Sequence, residues 1–322
     1  MKILKYLSPS SITKYIDNKI GFYMWYLADC RPDKEPQTDA MAAGSAFDAY
    51  CKSYLHKALG FNDPRFELRT LFEKQVEKQW WDEAWKVGAL LFDLYKRSGC
   101  LADIFLELKH SIGEPRFEYE VEGFVESKEL TIASIPFLGK PDISYTHKNA
   151  FRITTDWKVN GYYSKTGTSP KKGYVRLRDA NGGFPPHKDF MPGYHKGVKY
   201  NMSYPLETID ASWARQLAIY SWLFGEPVGS EDFLVGIDQV VCRPGPNIRF
   251  AEHRLKISKA FQLQTFAIAN EIWTNSMDGH FFKDMSKIDS QLKCERLDKA
   301  AEFFNKPIES VDDWFIRLEA RG

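Results

Sequence analysis

Residues 135 to 159 constrain this chain more than any other stretch. They read Ile135-Pro136-Phe137-Leu138, a Gly139-Lys140-Pro141 turn, Asp142-Ile143-Ser144-Tyr145, a turn over Thr146 to Asn149, and Phe151-Arg152-Ile153-Thr154-Thr155-Asp156-Trp157-Lys158-Val159. Apolar residues alternate with polar ones between turn signals, which predicts a β-hairpin. Successive strand side chains point to opposite faces, so Asp156 and Lys158 share one face and Trp157 takes the other. In the simplest register Asp142, opening the neighbouring strand, comes close to Asp156. Two carboxylates and an amine at one point are the parts needed to hold a hard cation such as Mg²⁺ and to activate water against a phosphodiester.

Taken singly, each part has an ordinary reading. Gly-Lys-Pro-Asp is a common turn, because Pro presets φ and Asp bonds its own backbone. Asp-Trp-Lys alone is a solvated cross-strand ion pair. Together, at this separation, they resemble the core of the PD-(D/E)XK nuclease superfamily.

Further residues narrow the resemblance to the RecB-like branch, which includes phage exonucleases. Trp213-Ala214-Arg215-Gln216-Leu217-Ala218-Ile219-Tyr220 is similar to that branch's Gln-x-x-x-Tyr helix, and the four-residue step puts Gln216 and Tyr220 on one helical face. Leu7-Ser8-Pro9-Ser10-Ser11, followed by Ile12, Tyr15, Ile16, Ile20, Tyr23, Met24 and Leu27, reads as one capped amphipathic helix and resembles the family's opening helix. Gly44-Ser45-Ala46-Phe47-Asp48 resembles the Gly-x-x-x-His element, with Asp48 where most members carry a histidine ligand.

The resemblance implies an α/β (α+β) fold with a restriction-endonuclease-like core, a mixed central sheet flanked by helices. It implies one nuclease domain over 1–322, mainly helical over 1–110, with its core over 115–280 and a tail over 286–322. It also implies a Mg²⁺- or Mn²⁺-dependent deoxyribonuclease. Asp142, Asp156, the Trp157 carbonyl and Asp48 would hold the metal, Lys158 would orient or deprotonate water, and Gln216 and Tyr220 would hold the DNA backbone or the lysine. The branch favours an exonuclease acting at DNA ends in recombination, repair or phage replication, beside a single-strand annealing or recombination protein. A structure-specific endonuclease and a non-catalytic DNA-binding protein on the same fold remain the alternatives. Some relatives hold an iron–sulfur cluster; here Cys30, Cys51, Cys100, Cys242 and Cys294 are scattered without Cys-x-x-Cys spacing, so no cluster is expected.

The net charge of +1 is no signature of a nucleic-acid binder, but the charge is uneven. Between Asn160 and Tyr204, Lys165, Lys171, Lys172, Arg176, Arg178, Lys188, Lys196 and Lys199 face only Asp179 and Asp189, with Tyr162, Tyr163 and Tyr174 among the interleaved aromatics. The segment is rich in Gly and Pro and reads as a long irregular loop over 160–205. Basic groups neutralise phosphates and rings stack on unpaired bases, so Lys165, Lys171, Lys172, Arg176, Arg178 and Tyr162 are the candidate DNA contacts. A solvated insertion is the plain alternative.

Elsewhere, Arg65 to Leu108 is helical in pattern. Phe117 to Glu122 alternates as a strand whose glutamates share a face, either the wet side of the strand or, for one of them, a place near the metal. Phe233–Val241 and Ile248–Leu255 read as strands, and Ser258 to Met277 as a helix. No zinc-type His/Cys pairing, Walker loop or Gly-x-Ser-x-Gly elbow occurs. At 322 residues and 43% hydrophobic content the chain can bury a substantial core. Unpatterned cysteines, the lack of a long apolar start and the absence of a membrane-length apolar run point to the cytoplasm.

Overall fold

The structure, a computed structural model, describes residues 2–130, 134–160, 162, 174–179, 182–184, 190–242, 248–279, 292, 293 and 295. Chain contacts group it into two compact units, Met1–Lys34 with Ile268–Gly322, and Glu35–Ala267.

In the first unit, α1 (Pro9–Asp17) starts as the sequence predicts. The Ser8 hydroxyl accepts the Ser11 amide at 3.2 Å while Ser11 Oγ accepts the Ser8 amide at 2.8 Å, a reciprocal cap with Pro9 in the first turn. The helix does not run on to Leu27. Asn18 is extended, and its side chain recaps a short α2 (Lys19–Phe22) that passes into a π turn over Tyr23–Leu27. Ile12, Tyr15, Tyr23 and Leu27 are buried, but Ile16 and Ile20, expected on the same face, are exposed.

The second unit opens with α3 (Asp39–Ala58), α4 (Leu68–Gln75), α5 (Trp81–Arg97) and α6 (Cys100–Lys109). The predicted helical stretch from Arg65 is therefore present in pieces. Val76 is extended, and Gly99 takes a φ of 88°, a left-handed conformation that costs glycine nothing sterically. Strands β1 (Ile112–Phe117), β2 (Val121–Val125), β3 (Ile135–Gly139), β4 (Ile143–His147) and β5 (Phe151–Asn160) follow, then β6 (Arg176–Asp179), β7 (Gly182–Phe184), β8 (Pro192–His195) and β9 (Val198–Asn201). Short α7 (Leu206–Ile209), α8 (Ala211–Leu223), β10 (Leu234–Val241), β11 (Arg249–Leu255) and α9 (Lys259–Met277) complete the order, with the residues of α9 from Ile268 on counted in the first unit.

Among the described residues one seven-stranded sheet runs β1-β4-β5-β10-β11-β6-β7, while β2–β3 and β8–β9 are separate ribbons. Of its described pairings only that of β5 with β10 is parallel. This is the mixed sheet flanked by helices that the sequence implies. Phe47, Cys51, Leu91, Tyr95 and Ile104 from the helices pack with Ile143, Ile153, Trp157, Leu234 and Phe250 from the sheet in the main core. Each fully buried large side chain of this kind is worth about 1.5–3 kcal/mol, so this interface, rather than local propensity, fixes the helices.

Two expectations are corrected. The strand expected through Phe117 to Glu122 breaks at Glu118, whose φ is 46°, so the glutamates do not line one wet face. The stretch expected as one irregular loop over 160–205 contributes β6 and β7 to the main sheet and forms the β8–β9 hairpin. Pairing with β11 satisfies β6 backbone groups, and that tertiary gain does not register in a Gly- and Pro-rich sequence.

Candidate active site

The hairpin of β4 and β5 pairs antiparallel, with Ile143 opposite Thr155 and Ser144 opposite Thr154. Continuing that register by one residue sets Asp142 opposite Asp156, just where the β4 ladder ends. Each carboxylate there receives the amide beside the other. Asp142 Oδ2 accepts the Trp157 N–H at 3.0 Å, and Asp156 Oδ1 accepts the Asp142 N–H at 3.3 Å. The alternation also holds. Trp157 is buried in the main core and its indole N–H donates to the Tyr95 hydroxyl at 3.4 Å, while Lys158 Nζ donates to Asp156 Oδ2 at 2.9 Å. A strand residue turns its N–H and C=O to the same side, so the Trp157 carbonyl faces the side where β4 has ended.

Helix α8 supplies the other half of the predicted set. Asp210 caps it, accepting the Ser212 and Trp213 amides. One turn apart on its face, Gln216 Oε1 accepts from Lys158 Nζ at 3.0 Å and Gln216 Nε2 donates to the Tyr220 hydroxyl at 3.0 Å. Of the two roles foreseen for Gln216, holding the lysine is the one its hydrogen bond supports. The Gly139 of the Gly-Lys-Pro-Asp turn has a packing reason: a Cβ there would lie 2.7 Å from both Tyr220 Cδ1 and Leu223 Cδ1. Glycine lets α8 close onto β3 and so places Tyr220.

Three further residues complete the cluster: Lys52 and Gln75, which the sequence did not single out, and Glu118, one of the glutamates for which a place near the metal was the second reading. Lys52, one turn after Asp48 on α3 and 2% exposed, donates to Asp48 Oδ2 at 2.6 Å, Asp142 Oδ1 at 2.8 Å and Glu118 Oε1 at 2.9 Å. Gln75 Nε2 bridges Asp48 Oδ2 and Glu118 Oε1 at 3.0 and 2.7 Å. Glu118 Oε2 takes a second cation, Lys140 Nζ, at 2.6 Å. The left-handed backbone of Glu118 is a non-glycine outlier held by this network and by its amide's bond to the Asp142 carbonyl at 3.1 Å. The signal in the sequence was the Asp48–Lys52 spacing of four; it reads as a routine surface pair unless the helix is known to be buried there.

Charge settles how these groups stand. Burial works against the charge of Lys52, but Asp142, Asp48 and Glu118 together outweigh it and hold its ammonium well above the usual lysine range. Burial pushes the Asp48 carboxyl up to about 7 despite Lys52, and Asp48 Oδ1 is buried without a partner. Burial likewise opposes ionisation of Glu118, yet Lys52 and Lys140 hold it down at about 2. Asp156, 2% exposed, is raised by burial and by Asp142 against the pull of Lys158. Lys158 loses solvation but is held above its usual value by Asp156 and Asp142, so it stands as an ammonium.

The donor set suits a hard cation: every candidate oxygen is a carboxylate or a carbonyl. Among the described residues no group of three or more His, Cys, Asp or Glu side chains is spaced to hold a metal alone. Asp142 and Asp156 could therefore supply two ligands, with backbone, water and substrate oxygens completing the shell, an arrangement Mg²⁺ commonly adopts. Asp48 stands apart from that pair, its Oδ2 taken by Lys52 and Gln75.

Three of the candidate DNA contacts lie among the described residues, away from the Asp142–Asp156 pair. Arg176 and Arg178 reach Asp103 and lie 3.9 and 3.8 Å from Glu252, at the far side of the sheet order from β4. Tyr162 packs half-buried against the main core. Lys165, Lys171 and Lys172 lie outside the described residues, as does Cys294. Cys51, Cys100 and Cys242 are buried free thiols and Cys30 a partly exposed one. No described helix is long and apolar enough to cross a membrane.

No family model matches the chain, and no curated protein matches it in sequence. A solved structure described as "Crystal structure of SSO0001" aligns over 82% of this chain and 84% of that one at 12% identity, with a TM-score of 0.27, a likeness too slight to carry an argument.

Proposed function

We propose that the protein is a metal-dependent DNA nuclease of the RecB-like PD-(D/E)XK kind, hydrolysing phosphodiester bonds at DNA ends. The observation that carries this reading is the register of β4 and β5. It brings Asp142 against Asp156 at a ladder end, with Lys158 beside them and Gln216 on its ammonium. A bound Mg²⁺ or Mn²⁺ would polarise the scissile phosphate and lower the pKa of a water.

The chain's own residues do the rest. Asp142 and Asp156, with the Trp157 carbonyl, would hold the ion. Lys158, kept charged by Asp156, offsets negative charge building on the phosphate; it acts by charge and orientation rather than as a base. Gln216, braced by Tyr220, fixes the position of the ammonium, and placement of this kind is itself a large part of catalysis. Phosphates along the DNA would be met by Lys165, Lys171 and Lys172 of the 160–205 segment, Arg176 and Arg178 being engaged by Asp103 and Glu252. An exonuclease of this type would work in the cytoplasm of a bacterium or a phage-infected host, beside an annealing or recombination protein.

The test is a digest of linear and covalently closed circular DNA, single- and double-stranded, with Mn²⁺ or with EDTA. The expected result is ion-dependent loss of linear substrate from its ends while the closed circle survives. Cutting of the circle would make the protein a structure-specific endonuclease, and binding without cutting of any substrate would make it a non-catalytic DNA-binding protein.

A further inference from the structure

We propose that Lys52 is a resident cation of the site: its ammonium occupies the place a second divalent ion would take, so the protein works with one exchangeable metal ion and a built-in positive charge. This rests on the reading of Asp142 and Asp156 as the metal-holding pair.

An ammonium has three N–H donors and no acceptor. Lys52 spends all three on different carboxylates, at 2.6 Å to Asp48, 2.8 Å to Asp142 and 2.9 Å to Glu118. Its stem crosses the core side of α3, where a 2% exposed lysine is rare unless its charge is matched. Three carboxylates that would repel one another are thus held together by a single ammonium. Gln75 ties Asp48 to Glu118 from the side, so the two acids are held to the lysine rather than left to swing.

Two-metal nucleases place their ions about 3.5–4 Å apart around the reacting phosphate. Here Asp142 divides its oxygens: Oδ1 accepts from Lys52, while Oδ2 lies on the Asp156 side, bonded to the Trp157 amide. A divalent ion on the Asp142–Asp156 side would have Lys52 as its neighbour across a single carboxylate, the position a bridging carboxylate gives a second ion. With Lys52 there, another divalent ion meets repulsion from a fixed charge and finds its ligands engaged. Lys52 is thus a positioning residue for Asp142 and a counter-charge for Asp48 and Glu118.

The experiment is calorimetric titration of the full chain with Mn²⁺ in the absence of DNA, on wild type and on Lys52→Met, each also followed by thermal melting across Mn²⁺ concentrations. The proposal expects one Mn²⁺ per wild-type chain and two per Lys52→Met chain, with the variant's melting temperature rising more steeply with Mn²⁺ because an ion then does the work of the ammonium. A variant that folds only when Mn²⁺ is present supports the proposal in the same way. Two ions in wild type overturn it and leave the nuclease reading standing. One ion in a folded Lys52→Met, or a variant that stays unfolded at every Mn²⁺ concentration, overturns it as well. No Mn²⁺ bound by wild type overturns the proposal together with the reading it rests on.

Discussion

Gly139→Ala tests whether the approach of α8 to β3 sets the site. The new methyl carbon would sit 2.7 Å from Tyr220 Cδ1 and from Leu223 Cδ1. Carbon atoms rest about 3.5–4 Å apart, so the helix must retreat by roughly 1 Å. Tyr220 is buried and Leu223 half-buried, and overpacking of this kind costs about 1–3 kcal/mol. The retreat also pulls on the chain from Tyr220 through Gln216 to Lys158, whose two bonds are both 3.0 Å. Stretching them past hydrogen-bonding range loses about 1.5–3 kcal/mol at the charged member, or a factor of about 10 or more in rate. The assay pairs urea denaturation with Mn²⁺-dependent release of nucleotides from linear DNA. Adding Leu223→Ala removes one of the two collisions and should return part of the lost stability. A Gly139→Ala protein as stable and as active as wild type would refute the argument that this glycine is required by close packing.

Two further outcomes follow from buried charge. Asp238, 2% exposed, is held by Arg254 Nη1 at 2.9 Å and by the Tyr95 hydroxyl at 2.5 Å, so Arg254→Met should cost about 3–5 kcal/mol in urea denaturation; adding Asp238→Asn should recover much of it, and equal instability of single and double variants would contradict the pairing. Glu252 is raised to about 7, first by burial and then by Asp238, against Arg254, Arg176 and Arg178. Its folded value lies above its unfolded one, so between about pH 4.5 and 7 the folded state keeps a proton that the unfolded state has lost, and stability falls as pH rises through that window. Glu252→Gln should therefore match wild type near pH 4.5 and exceed it by roughly 1–3 kcal/mol at pH 8, read from denaturation midpoints; a constant difference across pH would contradict this.

What could be seen in the sequence depended on how local its cause was. Asp142, Asp156 and Lys158 were readable because strand alternation and a short hairpin turn fix which side chains meet, whatever the rest of the chain does. Gln216 and Tyr220 were readable for the same reason on a helix. Lys52, Gln75 and Glu118 come from α3, from the end of α4 and from a strand break, and only tertiary packing brings them to one point. A lysine four residues after an aspartate looks solvated until its helix is seen to be buried, and Glu118 looked like part of a continuous strand until its backbone turned. The β6–β9 strands were hidden by Gly, Pro and Lys, residues that disfavour strands locally and are overruled by pairing with β11 or within a hairpin.

The most direct measurement is the rate of Mn²⁺-dependent cleavage of linear DNA by Lys158→Ala, with folding checked by thermal melting and DNA affinity by a binding titration. The variant is expected to fold, to bind DNA and to cleave it at least about a hundredfold more slowly, the scale on which a single charge-stabilising group contributes. Cleavage at the wild-type rate by that variant would contradict the assignment of Asp142, Asp156 and Lys158 as one catalytic constellation.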